Sequence, residues 1–262
     1  MKTMIAYSGG MDSTYVLWKT LLETQDEVTA VFIRTGNVPR SIYTRYDMRT
    51  FSGSHKEETV AAAIAQWLSQ NVRTFAFLPV DFDEQYVVRG FGHPNSPQTY
   101  LARYAAAQMT ANQCDRLLLC SEKENDGWAN AGTVETRRTG AEAARDAFIS
   151  VATRGSIEWP LIASNYTQGY ALAALPAELQ AMLPSCDVAD ESYKCKKRRW
   201  FQDLLDQGKT PAETWDIYYA NCTSYQPGIW FSMKHWITGE TPTASNTWPI
   251  VNWPTSYTVP PS

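Results

Sequence analysis

No apolar run in the 262 residues approaches the ~20 needed to span a bilayer. The opening "MKTMIAYSGG" turns polar at Ser8, too soon for the apolar part of a secretion signal, so a cytoplasmic location is expected, with no membrane partner. Cysteine is sparse: five residues, at 114, 120, 186, 195 and 222, form an odd, scattered set without disulfide-framework spacing. Reduced thiols are expected, with Cys114 and Cys120 taken into the core by the apolar run beside them. Positive charge is also short. A net charge of -4 and a pI near 5.5 exclude a broad basic face for nucleic acid, and direct nucleic acid binding is not expected. The local exception, "KCKKRR" (Lys194 to Arg199), reads either as a solvated helix start or as a cationic rim. There is no internal repeat.

What is present belongs to an α/β protein. Hydrophobic residues make up 44% of the chain and charged residues 19%, enough for a packed core and too few charges for disorder. Apolar runs at Met4 to Tyr7, Val28 to Ile33, Phe75 to Val80 and Leu117 to Cys120 predict strands. Between them, residues 12 to 24 set Tyr15, Trp18 and Leu22 on one helical face, and 57 to 69 set Val60, Ile64, Trp67 and Leu68 on another. Ser54 and Glu57 read as a capping box at the second helix. Residues 99 to 112 continue the pattern, with an alanine triplet at 105 to 107 small enough to lie close on a sheet. Such alternation predicts a parallel, doubly wound sheet. Further helices are expected at 140 to 152, at 168 to 183 with a break at Pro176, at 196 to 207, and from Thr210 with Pro211 at the first helical position. The expected organisation is a nucleotide-binding α/β unit at 1–160, a helical region at 161–224, and an irregular, Trp- and Pro-rich arm at 225–262. That arm is expected to pack through its tryptophans on the core or on a second copy, which is compatible with a homodimer.

The segment "AYSGGMDSTYVLW" carries the chemistry. A strand ending at Tyr7 and a helix beginning near Asp12 would leave Gly9 and Gly10 free to take positive φ angles. Their N–H groups, with those of Met11 and Asp12, would then point at an anion at the positive end of the helix. Ser8 and Ser13 add hydroxyls. Asp12 fits a magnesium-facing carboxylate or a helix cap better than a direct phosphate contact. The segment has neither the lysine of a Walker loop nor the three spaced glycines of a dinucleotide loop.

"SGGMDS" (Ser8 to Ser13) resembles the Ser-Gly-Gly-x-Asp-Ser loop of the N-type ATP pyrophosphatases, the PP-loop family with the adenine nucleotide alpha hydrolase-like fold. The resemblance implies ATP and Mg²⁺ as cofactors, the loop holding the pyrophosphate end and Asp12, Ser13 and His55 serving catalysis. It also implies that the second strand, here Val31, Phe32 and Ile33, offers backbone groups to adenine. Within the family, "SHKEETVAAAIAQWL", "LARYAAAQMTANQCDRLLLCSEKEND", "EWPLIASNYTQGYALAALP" and "SCDVADESYKCKKRRWF" look like segments of 7-cyano-7-deazaguanine synthase, over about residues 3 to 201. That likeness implies an ATP-dependent carbon–nitrogen ligase acting on a deazapurine carboxylate and ammonia, with Glu122, Glu124 and Asp126 at the substrate end.

Two departures stand out. The synthase pattern has four cysteines in its zinc segment; with Cys195 as the fourth, Ala189 and Ser192 occupy thiolate positions, leaving Cys186 and Cys195 as the remnant of a site. Two thiolates do not close a tetrahedral zinc site, so Zn²⁺ is expected to be absent. The family's Pro-Gly-Arg-Asn stretch is here "HPNSPQ" (His93 to Gln98). Alternatives are a thiolase or sulfonucleotide-reductase-like adenylating enzyme, or a nucleotide-binding module without turnover. The first two are disfavoured by the lack of cysteine before Cys114 and after Tyr225.

Overall fold

The computed structural model describes residues 1–34, 55–81, 97–120, 140–164, 166, 168–183, 202–210, 213 and 256–259. Six strands, β1 (Lys2–Ala6), β2 (Glu27–Arg34), β3 (Ala76–Asp81), β4 (Arg116–Leu118), β5 (Ser156–Glu158) and β6 (Ser256–Thr258), form one sheet in the order β3-β2-β1-β4-β5-β6. All neighbours are parallel except β5 and β6. Helices α1 (Met11–Glu23), α2 (His55–Asn71), α3 (Pro97–Ala111), α4 (Gly140–Ile149), α5 (Pro160–Ala163), α6 (Gln168–Ala174) and α7 (Ala177–Met182) flank it. The fold is the expected doubly wound α/β class.

Strand alternation explains the two-sided core, because successive side chains leave a strand on opposite faces. Ile5, Ala30, Phe32 and Leu118 pack on one face with Tyr15, Leu17, Ile64 and Leu68 of α1 and α2. Met4, Val31, Ile33, Leu117 and Leu119 pack on the other with Ala105, Ala106 and Met109 of α3 and Phe148 of α4. Ala102, Ala105 and Ala106 of α3 are fully buried, as a helix lying close on a sheet requires, whereas Ala107, the last of the expected triplet, is half-buried. Leu161, Leu172 and Leu179 of α5 to α7, with Leu175 between α6 and α7, join the first face and so share the core of the strands before them.

Local details follow the residue types. Pro176 separates α6 from α7 and stands at the N-cap of α7, where a missing N–H costs nothing. Pro79 is tolerated in β3 because β3 is an edge strand, and its register opposite Phe32 turns the proline nitrogen outward. At the expected helix start near residue 210, Thr210 N–H donates to Glu213 Oε2 at 2.7 Å and Glu213 N–H to Thr210 Oγ1 at 3.2 Å, a reciprocal cap. Residues 202–206 are helical. Residues 196–201 and the Ser54 cap lie outside the described residues.

Three expectations need correction. Leu22 does not share the buried face of α1: it is exposed, and Val16, Leu17 and Leu21 take that place with Tyr15, because α1 packs on the sheet and α6 at once. The arm after residue 225 is not wholly irregular, since β6 pairs with β5 and Tyr257 packs on the second face. The short β5 has no counterpart among the predicted strands.

The N-terminal edge of the sheet is tied by charge. Arg116 Nη2 pairs with Asp26 Oδ2 at 2.8 Å, its Nε donates to Thr3 Oγ1 at 2.8 Å, and its Nη1 reaches Glu158 Oε2 at 3.3 Å. The Thr3 hydroxyl donates to Asp26 Oδ2 at 2.7 Å, and the Met1 amine lies 3.4 Å from Asp26 Oδ1. Burial works against the charged form of Asp26. The Thr3 hydroxyl, the Arg116 guanidinium and the Met1 amine outweigh it and hold the carboxyl below its ordinary range.

Candidate functional site

The chain moves outward from β1 through β2 to β3 and then returns to lay β4 on the other side of β1. This reversal opens a crevice at the carboxyl ends of β1 and β4, the place where ligands of open α/β sheets bind. The glycine loop leaves β1 at that point. Cys120, two residues beyond β4, donates its thiol to the Ala6 carbonyl at 3.4 Å and so joins the ends of the two strands. The thiol is half-buried, not enclosed in the core as its sequence surroundings suggest, because β4 ends at Leu118. Cys114 is buried, as expected.

Gly9 alone of the two loop glycines takes a positive φ, +71°. A Cβ there would also lie 2.8 Å from Ala61 Cβ and 2.9 Å from Ala61 Cα, so both conformation and close approach demand glycine. Gly10 does not share this role: its φ is -75° and ψ 168°, extended backbone open to other residues, and it is the N-cap of α1. The helix therefore starts at Met11, one residue earlier than expected, and Asp12 is a first-turn acid instead of the cap. An acid there is favoured by the helix dipole.

Two serines brace the loop. Ser13 Oγ donates to Gly10 C=O at 3.1 Å, accepts Ser8 N–H at 3.2 Å and lies 3.2 Å from Ser8 Oγ. Gly10 N–H reaches Ser8 Oγ at 3.4 Å, and Thr14 N–H closes the first helical bond on Gly10 C=O at 2.9 Å. Ser13 is buried and Ser8 exposed. Ser13 thus sets the loop's shape, and Ser8 presents a hydroxyl to solvent. Below the loop, Tyr7 donates its hydroxyl to Ala61 C=O at 3.3 Å. Burial pushes its phenol pKa well up, so Tyr7 stays a neutral donor across physiological pH.

The second strand outruns the first. Tyr7 N–H donates to Val31 C=O at 2.9 Å, so Val31 is spent on β1. Alternation turns the backbone groups of Phe32 to β3, and those of Ile33 back to the β1 side, beyond the end of β1 at Ala6. Of the three residues, Ile33 is the one whose backbone groups face past the end of β1. The side chains of all three are buried.

His55 is the first residue of α2, and its side chain lies outside the described residues. Glu122, Glu124, Asp126, Cys186, Cys195 and the segment 82–96 lie outside them too. Among the described residues there is no group of three or more metal-ligating side chains. No described helix is long and apolar enough to cross a membrane. Sequence reading passed over Arg34 and Glu58. Arg34, the last residue of β2, donates Nε and Nη2 to the two oxygens of Glu58 at 2.8 and 2.7 Å, and lies 3.4 Å from Asp81 Oδ1. Nothing local in the sequence announces a pair separated by 24 positions.

Fold and loop together define the class: a doubly wound α/β protein whose serine-braced glycine loop closes the switch-point crevice of the sheet. Among solved structures the chain is similar to the U34-tRNA thiolase NcsA from Methanococcus maripaludis, at 12% identity and a TM-score of 0.36, over 79% of this chain and 67% of that one. It is also similar to a predicted subunit of tRNA methyltransferase from Methanocaldococcus jannaschii, at 13% identity and a TM-score of 0.34, over 81% of this chain and 90% of that one. No protein-family model and no curated protein matches the chain.

Proposed function

We propose that the chain is a PP-loop enzyme that uses ATP and Mg²⁺ to adenylate the carboxylate of 7-carboxy-7-deazaguanine and passes the activated carbon to ammonia. The observation that carries the ATP site is the loop Ser8 to Ser13. It has one left-handed glycine, an extended N-cap and the open first turn of a 13-residue helix, all at the carboxyl end of β1 beside β4. The residues fit the group. First-turn N–H groups and the helix dipole favour an anion. The exposed Ser8 hydroxyl adds a donor, and the first-turn carboxylate of Asp12 suits a magnesium ion that takes most of its ligands from phosphate and water.

The chemistry follows from leaving groups. A carboxylate oxygen leaves poorly near neutral pH, whereas AMP leaves readily. Attack of the carboxylate oxygen on the α-phosphate would expel pyrophosphate, whose developing charge the loop N–H groups would stabilise. Ammonia would then displace AMP to give the amide. Adenylation of the amide oxygen and loss of AMP would leave the nitrile, two ATP being used in all. Glu122, Glu124 and Asp126, just past the end of β4 in sequence, belong to the substrate end in this reading and His55 to catalysis. Cys186 and Cys195 would be remnants of a lost zinc site.

A mass-spectrometric assay of the protein with ATP, magnesium, ammonium and 7-carboxy-7-deazaguanine tests the proposal. AMP with amide or nitrile is the expected result, abolished by Asp12→Ala or Ser13→Ala with the fold retained. Unchanged turnover in both variants would refute the site, and absence of AMP in the parent would refute the substrate. One observation favours a second reading. The half-buried Cys120 thiol stands at the crevice, beside Ala6, where a thiolase would need a sulfur carrier. That reading requires loss of sulfur transfer in Cys120→Ser, whereas the ligase reading requires that this variant keep ammonia-dependent turnover.

A further inference from the structure

Gly9 is held from outside its own loop. Ala61, fully buried in α2, lies against it so closely that no side chain fits between, and the Ala61 carbonyl takes the hydroxyl of Tyr7 from the end of β1. The position of α2 therefore sets the height of the loop. Three residues before Ala61 on α2 stands Glu58, whose two oxygens take Nε and Nη2 of Arg34 in a fork-to-fork pair. Such a pair fixes orientation as well as distance, unlike a single point contact. Asp81 at the end of β3 holds the same guanidinium from its other side. Arg34 thereby fastens the first turn of α2 to the carboxyl ends of β2 and β3, and the next turn becomes the floor under Gly9.

The geometry points to Arg34 and Glu58 as positioning residues that set the glycine loop for pyrophosphate through Ala61, without touching the ligand. This rests on the loop's being the pyrophosphate holder. It differs from a merely structural ion pair, whose loss would leave anion binding unchanged. It differs also from direct contact by Arg34 with a base, which the nearness of Arg34 to Ile33 on β2 allows.

The experiment measures binding of inorganic pyrophosphate with magnesium, and separately of adenosine, to the full chain by calorimetry. Amide hydrogen exchange over residues 9–12 is followed in parallel. In Glu58→Gln, pyrophosphate affinity should fall about fivefold, the low end of coupling between linked sites. Adenosine affinity should stay within about twofold, and loop exchange should quicken. Arg34→Ala should lose at least as much, since it also releases Asp81, and the double variant should be no weaker than Arg34→Ala, since that change already removes the pair with Glu58. Wild-type pyrophosphate affinity and loop exchange in Glu58→Gln would overturn the inference. So would an equal loss of adenosine binding in Arg34→Ala, which would make Arg34 a direct contact. If the parent chain bound no pyrophosphate, the loop reading would fall. Exchange would then decide the α2 coupling alone, quickening in Glu58→Gln supporting it and an unchanged rate overturning it.

Discussion

Replacing Gly9 by alanine separates the two loop glycines by free energy. The backbone at Gly9 has a φ of +71°, which costs an L-residue roughly 1–2 kcal/mol. The added Cβ would also sit 2.8 Å from Ala61 Cβ and 2.9 Å from Ala61 Cα, and relief requires shifting a buried helix, an overpacking cost of about 1–3 kcal/mol. The sum is a loss of roughly 2–5 kcal/mol. For a chain of this size each kcal/mol lowers the melting temperature by about 2–4 °C, so a middle value of ~3 kcal/mol predicts a fall of roughly 6–12 °C. Gly10→Ala is the control. Its φ is -75°, and the added Cβ would meet only the movable Ser8 hydroxyl at 3.3 Å, so the expected loss is below about 1 kcal/mol. Urea titrations of parent and both variants, with equal slopes, give the comparison. A Gly9→Ala midpoint equal to that of Gly10→Ala would refute the assigned backbone and the Ala61 contact together.

Acid stability should depend on Asp26. Its carboxyl is held below the ordinary aspartate value of about 3.9, so its contribution is complete above that range and is lost as pH falls through the depressed value. Asp26→Asn should cost about 1.5–3 kcal/mol at neutral pH by weakening its bonds with Arg116 and Thr3. Its urea midpoint should converge on the parent's as pH falls through the depressed value; a gap that stays constant with pH would contradict the pairing. Trp159 is fully buried and its Nε1 has no acceptor among the described residues. Trp159→Phe should therefore cost less than about 1.5 kcal/mol, removing an unmatched donor along with ring volume, while Trp159→Ala should cost about 3–5 kcal/mol. Equal losses in calorimetric melting would show that the N–H is satisfied.

Much of this architecture was written locally. The period of apolar residues marked β1 to β4 and α1 to α3, because a strand buried on both faces and a helix with one apolar stripe differ in a pattern only a few residues long. Pro176 marked the break between α6 and α7, and "SGGMDS" marked the loop, since strand, glycine turn and helix start are neighbours in sequence. What sequence could not settle depended on partners far along the chain. β5 (Ser-Ile-Glu) and β6 (Ser-Tyr-Thr) carry one apolar residue each, so they show no apolar run like that at β4, and they exist as strands because β4 and then β5 offer an edge to pair with. That Gly9 is the constrained glycine, and Gly10 is not, was decided by Ala61 of α2, 52 positions away in sequence. The half-open setting of Cys120 came from where β4 ends beside β1, and the Arg34–Glu58 clamp from the docking of α2 on β2. Backbone periodicity and turn chemistry are carried by adjacent residues. Steric exclusion, ion pairing and strand-edge hydrogen bonds form only when distant segments meet, and those decided the shape of the site.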